Sequence, residues 1–71
     1  MQAEDRKYLS KRELQVLVLL AVGKTSKEVG RLLFISTDTV RTHRTHILKV
    51  LGALNITHAV FIAIQMGLIK I

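Results

Sequence analysis

Apolar residues recur at helical spacing in four segments of the chain, and three of these segments start behind a Ser or Thr that can cap a helix. Ser10 with Glu13, and Thr25 with Glu28, have the spacing of a capping box, in which each side chain accepts the other residue's backbone N–H. Ser36 precedes the third segment as a simple N-cap. The predicted helices span about residues 11–22, 26–34, 37–51 and 57–66. The pattern therefore predicts an all-α fold of four helices.

Glycines mark the ends of three predicted helices and one close contact. Gly23, Gly52 and Gly67 each follow the apolar residues of a helix, where a left-handed stop is common. Gly30 lies inside the second helix, where glycine costs about 1 kcal/mol relative to alanine. Its presence there indicates that another backbone approaches closely. The second and third helices are separated by about three residues, which is the turn length of a helix-turn-helix.

The third predicted helix has two different faces. At about 100° per residue, Val40, Ile47 and Leu51 form a stripe that would face the core. The opposite side interleaves hydroxyl groups with cations and consists mainly of Arg41, Thr42, Thr45, His46 and Lys49. Such side chains reach base edges and phosphates in a major groove, although a solvated surface is the simpler alternative. Arg44 lies beside the core stripe and is left out of the base-reading set.

The second and fourth helices also have predicted core sides. The core side of the second helix consists of Val29, Leu32 and Leu33. The fourth helix, capped by Asn55 or Thr57, places on its core side Ala59, Ile62, Ala63 and Met66. Its outer side carries Phe61, Ile64, Gln65 and Leu68. Large apolar side chains on an outer face fit the same helix of a second copy, with chance exposure as the alternative.

The positive charge lies where the polar helix face lies. The 71 residues carry a net charge of +6, and residues 24–51 carry six Lys or Arg against two acidic residues. This balance suits nucleic acid, whereas a membrane-surface helix would have fewer hydroxyls on its polar face. The longest apolar run, Val16 to Val22, has seven residues, against roughly 20 for a membrane span. Without Cys there is no disulfide, which is compatible with a reducing cytoplasm.

Neither a catalytic nor a metal site is expected. Three serines stand at predicted helix starts without a base and carboxylate beside them, so we expect no enzyme and no cofactor. His43 and His46 are three residues apart and His58 could join them, but no acidic residue completes a metal-ligand set in the sequence. We also expect no small-molecule site in a domain of this size.

Beyond these patterns, the chain resembles the LuxR/FixJ (GerE-type) DNA-binding domain over about residues 9–69. The matching residues are Leu9-Ser10-x-Arg12-Glu13, Val16-Leu17-x-Leu19-Leu20-Ala21-x-Gly23, Lys27-Glu28-Val29, Leu33-x-Ile35-Ser36, Thr39-Val40-Arg41-x-His43, Ile47, Leu51, Asn55, Ala59-Val60 and Gly67-Leu68-Ile69. The resemblance implies a four-helix domain with a helix-turn-helix at about residues 25–51 and a dimerisation helix at about 57–66. Residues 1–9 would be a short lead-in to a DNA-binding domain over residues 10–71.

The resemblance also implies a bacterial transcription regulator that binds double-stranded DNA as a homodimer through the fourth helix. The dimer residues would be Phe61, Ile64, Gln65 and Leu68. Its base-reading positions fall on Arg41, Thr42 and Thr45. Its backbone-contacting positions fall on Thr25, Ser26, Lys27, Ser36, Thr37, Thr39 and Lys49. RNA polymerase is a further candidate partner, and the expected location is the bacterial cytoplasm, on the nucleoid.

Two residues depart from the family pattern, which commonly has a basic residue in place of Val50 and an Arg in place of Ile56. The loss of both basic residues lowers the positive field beside the third helix and removes a frequent partner for acidic groups such as Glu13. We therefore expect weaker backbone affinity per monomer and more dependence on dimerisation. The alternative function is a protein-interaction module that docks a partner through the first and fourth helices. Either a stand-alone regulator or the output domain of a larger one fits the sequence.

Overall fold

Four α-helices make up the part of the chain that the structure, a computed structural model, describes, which is residues 9–70. They are α1 (Lys11–Ala21), α2 (Ser26–Leu33), α3 (Thr37–Leu51) and α4 (Ile56–Gln65). The predicted all-α fold is confirmed, with each helix boundary within one residue of expectation. The predicted lead-in lies outside the described residues except for Leu9, which is buried in the core.

The helix starts are fixed by their capping residues. The Glu13 N–H donates to Ser10 Oγ over 3.1 Å, and the Ser10 N–H donates to Glu13 Oε1 over 2.9 Å, which completes the first capping box. Thr25 and Glu28 form the second box in the same way. At α4 the cap is Asn55, whose side-chain oxygen accepts the His58 N–H over 2.9 Å. Each box satisfies two backbone groups that a helix start would otherwise leave unpaired.

The core lies where α1 contacts the three other helices. Its largest fully buried side chains are Leu17, Ile47, Val16, Val29 and Val40. Burial of a side chain of this kind contributes about 1.5–3 kcal/mol, so a few such residues stabilise the domain without a disulfide. Val40 and Ile47 belong to the predicted core stripe of α3, which leaves the opposite face of that helix in solvent.

The turn between α2 and α3 is held by a close backbone approach at Gly30. A Cβ at this position would lie 2.7 Å from the carbonyl oxygen of Ile35, so the predicted close contact is confirmed. The Ile35 N–H also donates to the Gly30 carbonyl over 2.9 Å. Between them, Phe34 adopts the left-handed conformation with φ of 60°. This geometry sets the angle at which α3 leaves α2.

Three predictions of which side a residue faces are wrong. Leu32 is 53% exposed, because the core is reached by Val29 and Leu33, which lie one turn apart on the two-turn helix α2. Met66 is 55% exposed, and Leu68, predicted to face outward, is half-buried against the core. The Leu68 error arises because α4 ends at Gln65, so helical spacing no longer holds at residue 68. Met66, the C-cap, still donates its N–H to the Ile62 carbonyl, and its exposure has no such explanation.

The chain reverses at Gly67, which has a φ of 74°. The Leu68 N–H then donates to the Ala63 carbonyl over 2.9 Å, which turns the Leu68 side chain back toward α1. Taken singly, none of the helices within residues 9–70 is long and apolar enough to cross a membrane. α3 and α4 reach the length and composition of a membrane span only when the two are counted as one segment, and that segment is bent by 54°.

Candidate nucleic-acid interface

The polar face of α3 forms an open depression on the surface of the domain. Its lining consists of Arg41, Thr42, Thr45, His46 and Lys49. Arg41, Thr42, Thr45 and Lys49 are exposed, and His46 is half-buried. The structure thus brings together all three residues that the sequence assigned to base contacts, with one of the assigned phosphate contacts. Guanidinium, hydroxyl, methyl, imidazole and ammonium groups therefore share one face of α3, and each lies within about one helical turn of another of these groups.

Asp38 organises the N-terminal end of this face. The Arg41 Nη1 lies 3.4 Å from Asp38 Oδ1, and both side chains are mostly exposed, at 66% and 92%. The Thr42 hydroxyl donates to the Asp38 backbone carbonyl over 3.1 Å. An exposed pair of this kind contributes at most about 1 kcal/mol and weakens with salt, so Arg41 stays available to a stronger anion. The spacing of Asp38 and Arg41 could have revealed the pair, because residues three apart adjoin on a helix.

The start of α3 carries three of the predicted backbone-contacting residues, Ser36, Thr37 and Thr39. Ser36 Oγ accepts the Thr39 N–H over 3.0 Å and donates to Thr39 Oγ1 over 2.8 Å. The Thr39 hydroxyl therefore keeps its own proton for another acceptor. Ser36 and Thr39 are exposed, and Thr37 is half-buried. Together with the positive end of the helix dipole, these groups suit a phosphate.

The start of α2 carries the other predicted backbone-contacting residues, Thr25, Ser26 and Lys27. The Thr25 hydroxyl accepts the Glu28 N–H over 3.1 Å, and Lys27 is exposed. The Thr25 N–H donates to the Glu28 carboxylate, which is the main reason that the pKa of Glu28 lies below its ordinary value. Apart from Lys49, which lines the depression, the predicted phosphate contacts thus fall on two helix starts.

Glu13 reaches the border of the depression from α1, which the sequence did not reveal. Its carboxylate is buried and is in direct contact with Nδ1 of His46, and it lies 3.7 Å from Nδ1 of His43. Burial raises the pKa of this carboxyl, but the hydrogen bond from Ser10 and the neighbouring His46 ring lower it by more. The pKa of Glu13 therefore lies below the ordinary value of a glutamate.

α1 packs Glu13 against both rings, a contact that the spacing of the two histidines in the sequence did not indicate. Both imidazoles are therefore partners of the Glu13 carboxylate. His58, the third histidine considered for a metal, instead accepts the Leu54 N–H at Nδ1 over 3.0 Å. Within residues 9–70, no group of His, Asp and Glu side chains is arranged to hold a metal ion.

The outer face of α4 is smaller than the sequence predicted. Phe61 is 58% exposed and Ile64 is 45% exposed, and Gln65 beside them is also exposed. Leu68 does not belong to this face, because it packs against the core and lines a groove beside α1. The predicted dimer surface is therefore reduced to Phe61, Ile64 and Gln65.

Known proteins resemble the chain over most of its length. The family described as bacterial regulatory proteins, luxR family, matches residues 7–63. The transcriptional activator protein EchR of Dickeya chrysanthemi is 36% identical over 69 residues, which cover 97% of this chain and 28% of EchR. The transcriptional regulatory protein LiaR of Bacillus subtilis (strain 168) is 53% identical over 51 residues, or 72% of this chain and 24% of LiaR.

A third relative is the oxygen regulatory protein NreC of Staphylococcus aureus (strain JH9), which is 52% identical over 46 residues. That match covers 65% of this chain and 21% of NreC, so the chain spans about a quarter of the length of these relatives. The four helices, the helix-turn-helix and the family match agree with one another. The chain belongs to the luxR family of bacterial regulatory proteins, whose helix-turn-helix domain is a DNA-binding module of transcription regulators and not an enzyme.

Proposed function

We propose that this chain binds double-stranded DNA sequence-specifically by placing α3 in the major groove. The observation that supports it best is the depression on α3, where Arg41, Thr42, Thr45 and Lys49 converge on an exposed, positively charged surface. An α-helix fits the major groove, and each base pair there offers a distinct pattern of donors, acceptors and methyl groups. A helix-turn-helix uses its second helix for this purpose.

Arg41, Thr42 and Thr45 would contact bases. Arg41 can donate two hydrogen bonds to the O6 and N7 of guanine, in exchange for its weak pair with Asp38. The Thr42 hydroxyl already donates to the backbone, so its methyl group is the part available to a thymine methyl. Thr45 has no such restriction among the hydrogen bonds of the described residues and can use either group.

The two helix starts and Lys49 would contact the DNA backbone. The residues proposed for this are Thr25, Ser26, Lys27, Ser36, Thr37, Thr39 and Lys49. Among the hydroxyls engaged at the caps, Ser36 spends its proton on Thr39 Oγ1, whereas the Thr25 and Thr39 hydroxyls keep theirs for phosphate oxygens. Contacts from both ends of the helix-turn-helix would fix the register of α3 in the groove.

A homodimer through α4 would place two such modules on one operator. Phe61 and Ile64 are large apolar side chains with about half of their surface in solvent, and Gln65 extends the same side. A contact built from so few side chains should be weak in solution and be reinforced when both subunits bind one duplex. The two α3 helices would then enter successive major grooves, with half-sites about 10 base pairs apart.

As a transcription regulator, the protein would act in the bacterial cytoplasm, on the nucleoid. The relative EchR is named an activator, which supports RNA polymerase as a second partner of this chain. The competing function is a protein-interaction module. It is favoured by an apolar groove between α1 and the C-terminal segment, lined in part by Leu14, Val18, Leu33 and Leu68.

A salt titration of binding to a random duplex separates these two functions. For a DNA-binding regulator, the logarithm of affinity should fall linearly with the logarithm of salt concentration. Lys49→Ala should weaken binding and reduce the slope by about one unit, because one phosphate contact is lost. Lys11→Ala is the matched control, since Lys11 is an exposed lysine that lines the α1 groove and not the depression. Equal effects of the two changes, or no salt dependence, would contradict the proposed function.

A further inference from the structure

We propose that His46 is a further DNA-contacting residue, which binds a backbone phosphate as the imidazolium ion while Glu13 holds the ring in place from α1. The contact makes DNA binding proton-linked, so the affinity for duplex rises as the pH falls. This inference rests on the proposed function. It assigns a role to a residue on the border of the α3 depression that the sequence argument did not include among the DNA contacts.

The first support is the geometry of Glu13, whose two carboxylate oxygens have different partners. Oε1 accepts the Ser10 N–H over 2.9 Å within the capping box. Oε2 contacts Nδ1 of His46, a residue 33 positions away on α3. The Glu13 side chain is 9% exposed and cannot turn away without breaking the cap of α1. It is therefore a rigid, buried support for one edge of the His46 ring.

The second support is the exposure of His46 itself. The His46 side chain is 43% exposed and lines the depression together with Thr42 and Lys49. With Nδ1 directed to the carboxylate, the other nitrogen, Nε2, belongs to the edge that remains for a ligand. An imidazole ring buried in the core, where the side chains of Val40 and Ile47 lie, would have no edge open to a ligand.

The protonation state decides what Nε2 can do. When the ring is neutral and Nδ1 donates to Glu13, Nε2 carries a lone pair and can only accept a hydrogen bond. A phosphate oxygen is also an acceptor, so the two repel each other. When the ring is protonated, Nδ1–H donates to Glu13 and Nε2–H donates to the phosphate. A contact of His46 with DNA phosphate therefore requires the added proton.

The charges around His46 act in both directions. From α1, the Glu13 carboxylate places a negative charge against Nδ1. On α3, Arg41 and Lys49 in the same depression disfavour a further cation, and His43 competes for Glu13 at 3.7 Å. Among the described residues, α2 and α4 contribute no ion pair to His46. A phosphate supplies a second anion on the open side, so binding DNA and binding the proton strengthen each other.

The test is the dissociation constant for a duplex at fixed ionic strength between pH 6 and pH 8. Imidazole side chains titrate in this range, whereas the DNA phosphates do not. We expect wild-type protein to bind about tenfold more tightly at pH 6 than at pH 8, with proton uptake detectable by calorimetry in two buffers. His46→Gln should bind as wild type does at pH 8 and lose the increase at pH 6.

Two variants make the comparison specific. His43→Gln also removes an imidazole next to Glu13, but outside the depression, so it should keep the pH dependence. Glu13→Gln should reduce the pH dependence, provided that its helical circular dichroism shows a folded domain. A flat pH profile for wild type, or a profile unchanged in His46→Gln, would overturn the inference. If salt-dependent binding persists in that case, the proposed DNA binding survives; if the duplex is not bound at any pH, both fail.

Discussion

Replacing Gly30 by alanine puts a methyl group into the closest backbone approach of the helix-turn-helix. Alanine is favoured over glycine in a helix by about 1 kcal/mol, so helix propensity alone predicts a more stable protein. The added Cβ would, however, lie 2.7 Å from the Ile35 carbonyl oxygen, with the backbone of Ser36 and Thr37 at 3.5 Å. The two effects have opposite signs, and the geometry decides between them.

The clash has no flexible partner that could relieve it. The contact is about 0.7 Å shorter than the 3.4 Å at which ordinary contact begins, and the opposing atom belongs to the backbone. The same turn is held by the hydrogen bond from the Ile35 N–H to the Gly30 carbonyl, so a backbone shift that relieves the clash also disturbs this hydrogen bond. Overpacking of this kind costs about 1–3 kcal/mol. Because the opposing atom is backbone, the cost lies in the upper half of that range, at about 2–3 kcal/mol. After the gain of about 1 kcal/mol in helix propensity, we expect Gly30→Ala to destabilise the domain by about 1–2 kcal/mol.

Thermal and urea unfolding followed by circular dichroism would measure this loss. For a domain of this size, about 1 kcal/mol shifts the Tm by roughly 4–8 °C. Gly67→Ala is a useful comparison, because it adds a Cβ in open space at a φ of 74° and costs only the left-handed backbone strain. Gly30→Ala should also weaken DNA binding by tilting α3, whereas Gly67→Ala should not. If Gly30→Ala is as stable as wild type, the close approach does not constrain the turn.

Three further predictions concern single side chains. Phe34 is 94% exposed with a φ of 60°, so Phe34→Gly loses little burial, relieves backbone strain and should stabilise the domain by up to about 1 kcal/mol in urea unfolding; a clear loss of stability would mean that the ring makes a stabilising contact in the folded protein. The pKa of Glu13 is lowered on folding, so its contribution is present above pH 4.5 and is lost as the pH falls through the lowered value; Glu13→Gln should be less stable by about 1–2 kcal/mol at neutral pH, and the difference should shrink in acid. Ile64→Glu should abolish cooperative binding to a palindromic duplex and leave the helical circular dichroism intact; unchanged cooperativity would move the dimer surface from α4 to α1.

Local features explain how much of the fold could be predicted from the sequence. Ser10, Thr25 and Ser36 cap helices through bonds that span three residues, so the helix starts follow from short stretches of sequence. Gly30 predicted a close backbone contact because its cost inside a helix requires a structural reason. The polar face of α3 also followed from helical spacing, since Val40 and Ile47 determine which side is buried.

The errors arise where helical spacing ends or where contacts are distant in sequence. Leu68 leaves its predicted side because the chain turns at Gly67, and a helical wheel assumes that no turn occurs. The contact between Glu13 and His46 joins residues 33 positions apart, and it depends on how α1 packs against α3. No local pattern encodes that packing.

Selection of binding sites from a random duplex library, with wild type and two variants, tests most directly whether α3 reads DNA. Wild type should enrich one sequence, and Arg41→Ala should lose about 1–3 kcal/mol of discrimination at one base position per half-site. Lys49→Ala should enrich the same sequence as wild type with uniformly weaker binding, because a phosphate contact carries no base preference. Full specificity in Arg41→Ala, with binding weakened equally for all sequences, would contradict the assignment of α3 as the reading helix through Arg41.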